Sequence, residues 1–185
     1  MHRLLSLAVL ALVLPACQAT LGSEEIQPQK LEIERSHPLR VTVTATSSPS
    51  GMILGPRITA EDLGEAIRTC ITSSELFLPA TEGEAELQLH AEVLELTEGE
   101  LSVDCEADVR VRWSLARPGC EAHWTKTIQT DYTAHVFNTD TSEDRVRVAI
   151  RRATRKNIRE ALECISRLEA PGGNDSRPSS SSPSE

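Results

Sequence analysis

The clearest signal along the chain is a strict alternation. Ala85, Leu87, Leu89, Ala91 and Val93 are apolar while Glu86, Gln88, His90 and Glu92 are polar, the period of two expected of a strand with one face buried. The rhythm returns with Leu101, Val103, Cys105, Ala107, Val109, Val111, Trp113 and Leu115 inside, and Asp104, Glu106, Asp108, Arg110 and Arg112 outside. Thr97 to Glu100 is the turn between these runs. Arg117-Pro118-Gly119 makes the next turn, after which Cys120, Ala122, Trp124, Ile128, Tyr132, Ala134 and Val136 point inward, with Lys126 as the exception. An earlier strand runs from Arg40 to Thr46, where β-branched residues alternate. If the first hairpin turns at Gly99, Glu86 faces Arg112, His90 faces Asp108 and Glu92 faces Glu106.

Helical spacing appears twice. Thr59-Ala60-Glu61-Asp62 has the form of a capping box, and Leu63, Ala66, Ile67, Cys70 and Ile71 then recur on one face as far as Ser74. Thr141-Ser142-Glu143-Asp144 opens a second and longer helix, marked by Val146, Ile150, Ala153, Ala161, Ile165 and Leu168. Between the first strand and the first helix, residues 47–57 hold Pro49, Gly51, Gly55 and Pro56 and read as a loop. The order β-α-β-β-β-α predicts an α+β two-layer sandwich. Its sheet is mixed and four-stranded, the strand after the first helix lies parallel to the first strand through a right-handed crossover, and two helices cover one face.

Outside this domain the composition changes. Arg3 followed by the apolar run Leu4–Leu14 is too short for the ~20 residues that span a bilayer and reads as a signal peptide over residues 1–16. Leu14-Pro15-Ala16-Cys17 closes it in the manner of a lipobox, which makes Cys17 the expected site of acylation and of attachment to a membrane. Residues 17–37 read as lipidated cysteine and flexible tether, 38–169 as the domain, and 170–185, rich in Pro, Gly and Ser, as a disordered tail.

Charge and chemistry narrow the function mainly by exclusion. A net charge of −9 over 185 residues disfavours nucleic acid as a partner. An exported chain meets an oxidising compartment, so Cys70, Cys105, Cys120 and Cys164 are disulfide candidates with three complete pairings. The predicted layout favours Cys164 with Cys70 or Cys120 and offers no geometry for Cys105. No catalytic motif is recognised, and neither a metal nor a cofactor is expected. His90, His123 and His135 fall on the polar face but apart, and a strand surface carrying Asp104, Glu106 and Asp108 does not wrap a cation.

Two features exceed what folding asks for. Arg145, Arg147, Arg151, Arg152, Arg155, Lys156 and Arg159 make a basic surface near the N-terminal part of the last helix, where cations oppose the macrodipole. Met52-Ile53-Leu54 places three large apolar residues in a loop. Both are candidate contacts for a partner or for lipid; the other readings are a solvated helix face with Glu143 and Glu160 as local partners and a loop folded back on the sheet.

The lipobox, the β-α-β-β-β-α order, Ser73-Ser74-Glu75-Leu76-Phe77 closing the first helix, Ala85-Glu86-Leu87-Gln88-Leu89 opening the second strand, and Ile158-Arg159-Glu160-Ala161-Leu162 in the Arg-rich final helix carry a resemblance over residues 38–169. The chain resembles small Gram-negative outer-membrane lipoproteins of the YajG kind and, more loosely, the LptE subunit of lipopolysaccharide export and the auxiliary lipoproteins of ABC transport systems. Gln18 after the cysteine, by resemblance to enterobacterial lipoproteins, implies the outer membrane. The resemblance implies a noncatalytic, periplasm-facing accessory of an envelope protein complex. The other reading is a periplasmic small-molecule or lipid-binding lipoprotein.

Overall fold

The computed structural model of the protein describes residues 19–50, 55–80, 83–99 and 103–169. Its elements are α1 (Ser23–Ile26), β1 (His37–Ser50), α2 (Ala60–Ser74), β2 (Phe77–Pro79), β3 (Leu87–Glu98), β4 (Cys105–Ala116), β5 (Ala122–Ala134), a 3-10 turn (Val136–Asn138) and α3 (Ser142–Ser166). The fold is α+β. The alternating residues of β3 and β4 do what their period demands: Leu87, Leu89, Ala91 and Val93, then Cys105, Ala107, Val109, Val111, Trp113 and Leu115, are all buried beneath the helices.

The sheet has five strands rather than the expected four, in the order β2-β1-β3-β4-β5. β1 pairs in parallel with β2 and β3, whereas β3, β4 and β5 are antiparallel. The extra strand, β2, is three residues long and shows no period, and the buried ring of Phe77 stacks on His37 with 5.1 Å between centroids.

The predicted hairpin register is corrected. Glu92 faces Arg112, His90 faces Ser114 and Asp108 faces Thr97; Glu106 faces Thr133 of β5. The reason is the length of the connection. The Gly99 amide donates to the Glu106 carbonyl at 2.8 Å and β4 begins only at Cys105, so Val103, 68% exposed, lies in the loop although its period continues that of the strand. As far as Val93 the slip is by an even number of residues, so those side chains keep their face. A bulge between Val93 and Glu95 then moves the inward position to Leu96, which is fully buried.

Both helix starts follow the sequence. Thr59 Oγ1 accepts from the Asp62 amide at 3.0 Å and Thr141 Oγ1 from the Asp144 amide at 3.1 Å. In each case the hydroxyl also donates to the aspartate, at 2.6 and 2.7 Å.

Residues 19–37 are not the flexible tether that their composition suggests. α2 packs on β1 and β2 and α3 on β4 and β5, while α1 contacts both helices. The N-terminal segment thus fills the gap between them. Leu21 and Ile26 are fully buried, and Leu31 and Ile33 pack against the same core. Arg147 of α3 clasps Glu25 through two of its guanidinium nitrogens (Nε to Oε1, 3.0 Å) and donates to the Thr20 carbonyl at 3.3 Å. Further along, the Glu32 amide donates to Glu163 and Arg167 pairs with Glu34 at 2.7 Å.

Candidate functional site

Of the seven basic residues forecast on the last helix, the structure uses two internally. Arg147 is held by Glu25, and Arg145 is nearly buried with its guanidinium on the Thr139 carbonyl at 3.4 Å. Lys156 pairs with Asp131 at 3.5 Å. Arg151, Arg152, Arg155 and Arg159 make no ion pair among the described residues, and the Nε atoms of Arg151 and Arg155 are buried without a partner. The expected local partners Glu143 and Glu160 hold none of these arginines.

Arg152, Arg155, Lys156 and Arg159 recur at the spacing of one helical face. With Gln29 and Tyr132 they line an open cleft of about 210 Å³, and the Arg152 guanidinium lies 6.0 Å from the Tyr132 ring centroid. Burial, followed by the repulsion of Arg151 and Arg152, lowers the Arg155 pKa. Apart from Lys156, held by Asp131, this is a concentration of positive charge without ion pairs among the described residues, in a chain whose net charge is −9.

A second cleft, of about 560 Å³, follows the outer edge of β1. β2 covers β1 only as far as Val41. Beyond it no described strand lies on that side, and the Val43 carbonyl accepts from Arg68 of α2 at 3.3 Å. The cleft is lined by Thr42, Val43, Thr44, Ile71, Pro79 and Ala80, among others. β5 forms the other edge of the sheet but carries Lys126 and Asp131 along its length, charges of the kind that discourage strand addition. The edge of β1 from Val41 to Thr46 carries none.

The four described cysteines, Cys70, Cys105, Cys120 and Cys164, are free thiols, which corrects the expected disulfides. Cys70 lies on α2 over β1 and β2, while Cys164 lies on α3 over β4 and β5 with α1 between the helices. Lys126 donates to the Cys164 sulfur at 3.1 Å. Cys105 is buried at the start of β4, its thiol 3.9 Å from the Ser142 carbonyl, and Cys120 is exposed in the β4–β5 turn. Burial pushes the Cys70 thiol up to about 11. Cys120, Ala122 and Val136 were expected inside; all three are exposed, Cys120 in the turn before β5, Ala122 at its first position and Val136 past its end in the 3-10 turn.

The histidines stand apart: His90 bonds Thr44 at 2.9 Å, His135 meets Asp104 at 3.0 Å, and burial followed by repulsion from Arg117 lowers the His123 pKa. Cys17 and Met52-Ile53-Leu54 lie outside the described residues. The chain enters the described body at Ala19, whose carbonyl accepts from the Arg57 amide at 2.9 Å.

No family model and no curated protein matches the chain. Among solved structures it is similar to protein XCC0632 from Xanthomonas campestris, of the family DUF330, at 12% identity over 76% of this chain and 90% of that one, with a TM-score of 0.54. A minor lipoprotein from Acinetobacter baumannii aligns at 13% identity over 69% and 91% of the two chains, TM-score 0.46. The rare lipoprotein B from Shewanella oneidensis aligns at 17% over 68% and 89%, TM-score 0.38. The likeness to XCC0632 is one of fold.

Proposed function

We propose that the protein is a noncatalytic lipoprotein, anchored through acylated Cys17 to the periplasmic face of the outer membrane, that holds an envelope protein partner of an assembly or transport system. The lipobox Leu14-Pro15-Ala16-Cys17 supports the anchor. The observation that carries partner binding is the β1 edge. An edge of alternating Val and Thr, with no described strand paired to it past Val41 and walled by α2 and by Pro79-Ala80, can accept an extended segment through main-chain hydrogen bonds once Arg68 gives up the Val43 carbonyl. The test is capture from solubilised membranes by the native protein, by Cys17→Ala, and by a variant carrying Thr42→Arg and Ala80→Arg. A discrete partner that the native protein retains and the cleft variant loses is the expected result. A partner retained by the cleft variant removes the edge from the proposal, and no partner at all removes the accessory role.

A ligand-binding lipoprotein is the second reading, and the arginine cleft is what favours it. Its unpaired guanidinium groups and the aromatic ring of Tyr132 suit a small phosphorylated or carboxylated ligand. Titration with inorganic phosphate and with glycerol phosphate, read by thermal shift in the parent and in Arg155→Gln, decides it. An increase in Tm in the parent alone supports the reading.

A further inference from the structure

The N-terminal segment fixes more than the core. Ala19 lies against Arg57, and the Leu21 amide donates to the Arg57 carbonyl at 3.0 Å. Close by in sequence, the Gly55 amide donates to Glu98 at the end of β3, and a Cβ at Gly55 would meet Val146 in the first turns of α3. The chain therefore enters the body at the end where β3 and β5 finish and where β4 and α3 begin. Only Gln18 separates Ala19 from Cys17, and two residues of extended chain reach at most ~7 Å. An acyl chain on Cys17 brings this end of the domain to the bilayer surface.

The same end carries the exposed apolar side chains of the β3–β4 and β5–α3 connections. Phe137 is 97% exposed, Val103 68% and Val136 41%; among the described residues the remaining exposed large apolar residue, Leu78, lies in β2. Asp104 ties the two connections together, accepting from the Val136 amide at 3.3 Å and meeting His135. Such residues cost free energy in water and gain it on entering the acyl boundary, where an aromatic ring is favoured. Exposed Asp140, Glu143 and Asp144 follow directly in the chain, so attraction to anionic headgroups does not supply the contact.

We infer that this end, with Phe137 at its tip and Val103 and Val136 beside it, is a membrane-docking face that seats the domain directly on the lipid surface. The bilayer then lies at the anchor end, and the Arg117-Pro118-Gly119 turn points away from it. The inference rests on acylation of Cys17 as proposed above.

Its test uses the native lipidated chain and a Phe137→Trp variant, reconstituted into phosphatidylcholine vesicles with brominated acyl chains and floated on a density gradient. The chain's own Trp113 is buried in β4, and Trp124 lies toward the opposite end of β5, so they supply the background. The indole introduced at position 137 should lose fluorescence in brominated relative to unbrominated vesicles, while the parent's emission stays unchanged, and added salt should not restore it. Floating variant whose emission is no more quenched than the parent's overturns the docking face and leaves the anchor intact. Protein that does not float overturns the acylation reading, and this inference with it.

Discussion

At the scale of single residues, the core depends on one buried amide. Asn157 of α3 accepts from the Trp113 indole at 2.9 Å through Oδ1 and donates through Nδ2 to the Ile128 carbonyl at 2.9 Å, with the Val109 carbonyl and the Thr130 hydroxyl at 3.3 Å. Thr130 in turn donates to the Ala153 carbonyl at 2.8 Å. Asn157 and Trp113 are fully buried, so any partner left alone bears its full desolvation cost. Asn157→Asp keeps an acceptor for the indole but sets an oxygen against two carbonyls, and should lower the unfolding free energy by about 2–4 kcal/mol in urea titration. Glu75 works in the other direction. It closes α2 at φ 55°, in the left-handed region that disfavours a side chain. Glu75→Gly should stabilise by about 1 kcal/mol, measured as a higher urea midpoint at unchanged slope.

Among the elements, α1 and the residues around it bear most on how the helical layer is held. Leu21→Ala and Ile26→Ala each remove a fully buried side chain between α2 and α3, and each should cost about 2–5 kcal/mol in equilibrium unfolding. A cost near zero would mean that the segment is a tether after all. The Glu25–Arg147 clasp adds a pH signature. Its hydrogen bond to Arg147 holds the Glu25 carboxyl below its ordinary value of 4.5. A lowered native pKa gives stability that is complete above the ordinary value and is lost as pH falls through the native one. Parent and Glu25→Gln should therefore differ in Tm at pH 7 and converge as pH is lowered below 4.5. A difference that persists under acid would show that the carboxylate's charge is not what holds the clasp.

These elements also show what one sequence discloses. The strands β3 and β4 and the long helix were legible because each repeats its period over several turns or pairs, and both caps were legible because Thr and Asp stand three apart. The register was not, since Val103 continues the rhythm of β4 into a loop. α1 and β2 were not, because four and three residues hold no full period. The basic residues were visible as a cluster, but their sorting into paired and unpaired depends on Glu25, which holds Arg147, and Asp131, which holds Lys156, both distant in sequence. Nothing in the spacing of Arg68, Pro79 and Ala80 pointed to the β1 cleft.

For the molecule as a whole, the first residues of the body are held by the last. Thr20 and Glu25 meet Arg147, Glu34 meets Arg167, and the Glu34 amide meets Ser166, contacts separated by more than a hundred positions. Such closures are slow, because the loop entropy is lost before the contact is gained. They also impose an order in time on a chain that emerges from its N-terminus. Until α3 has been delivered, Leu21 and Ile26 have only α2 to lie against, and the N-terminal stretch of the body stays open. Once α3 docks, the same stretch is sealed into the layer, so the first residues of the body reach their final place only when the last helix has been made.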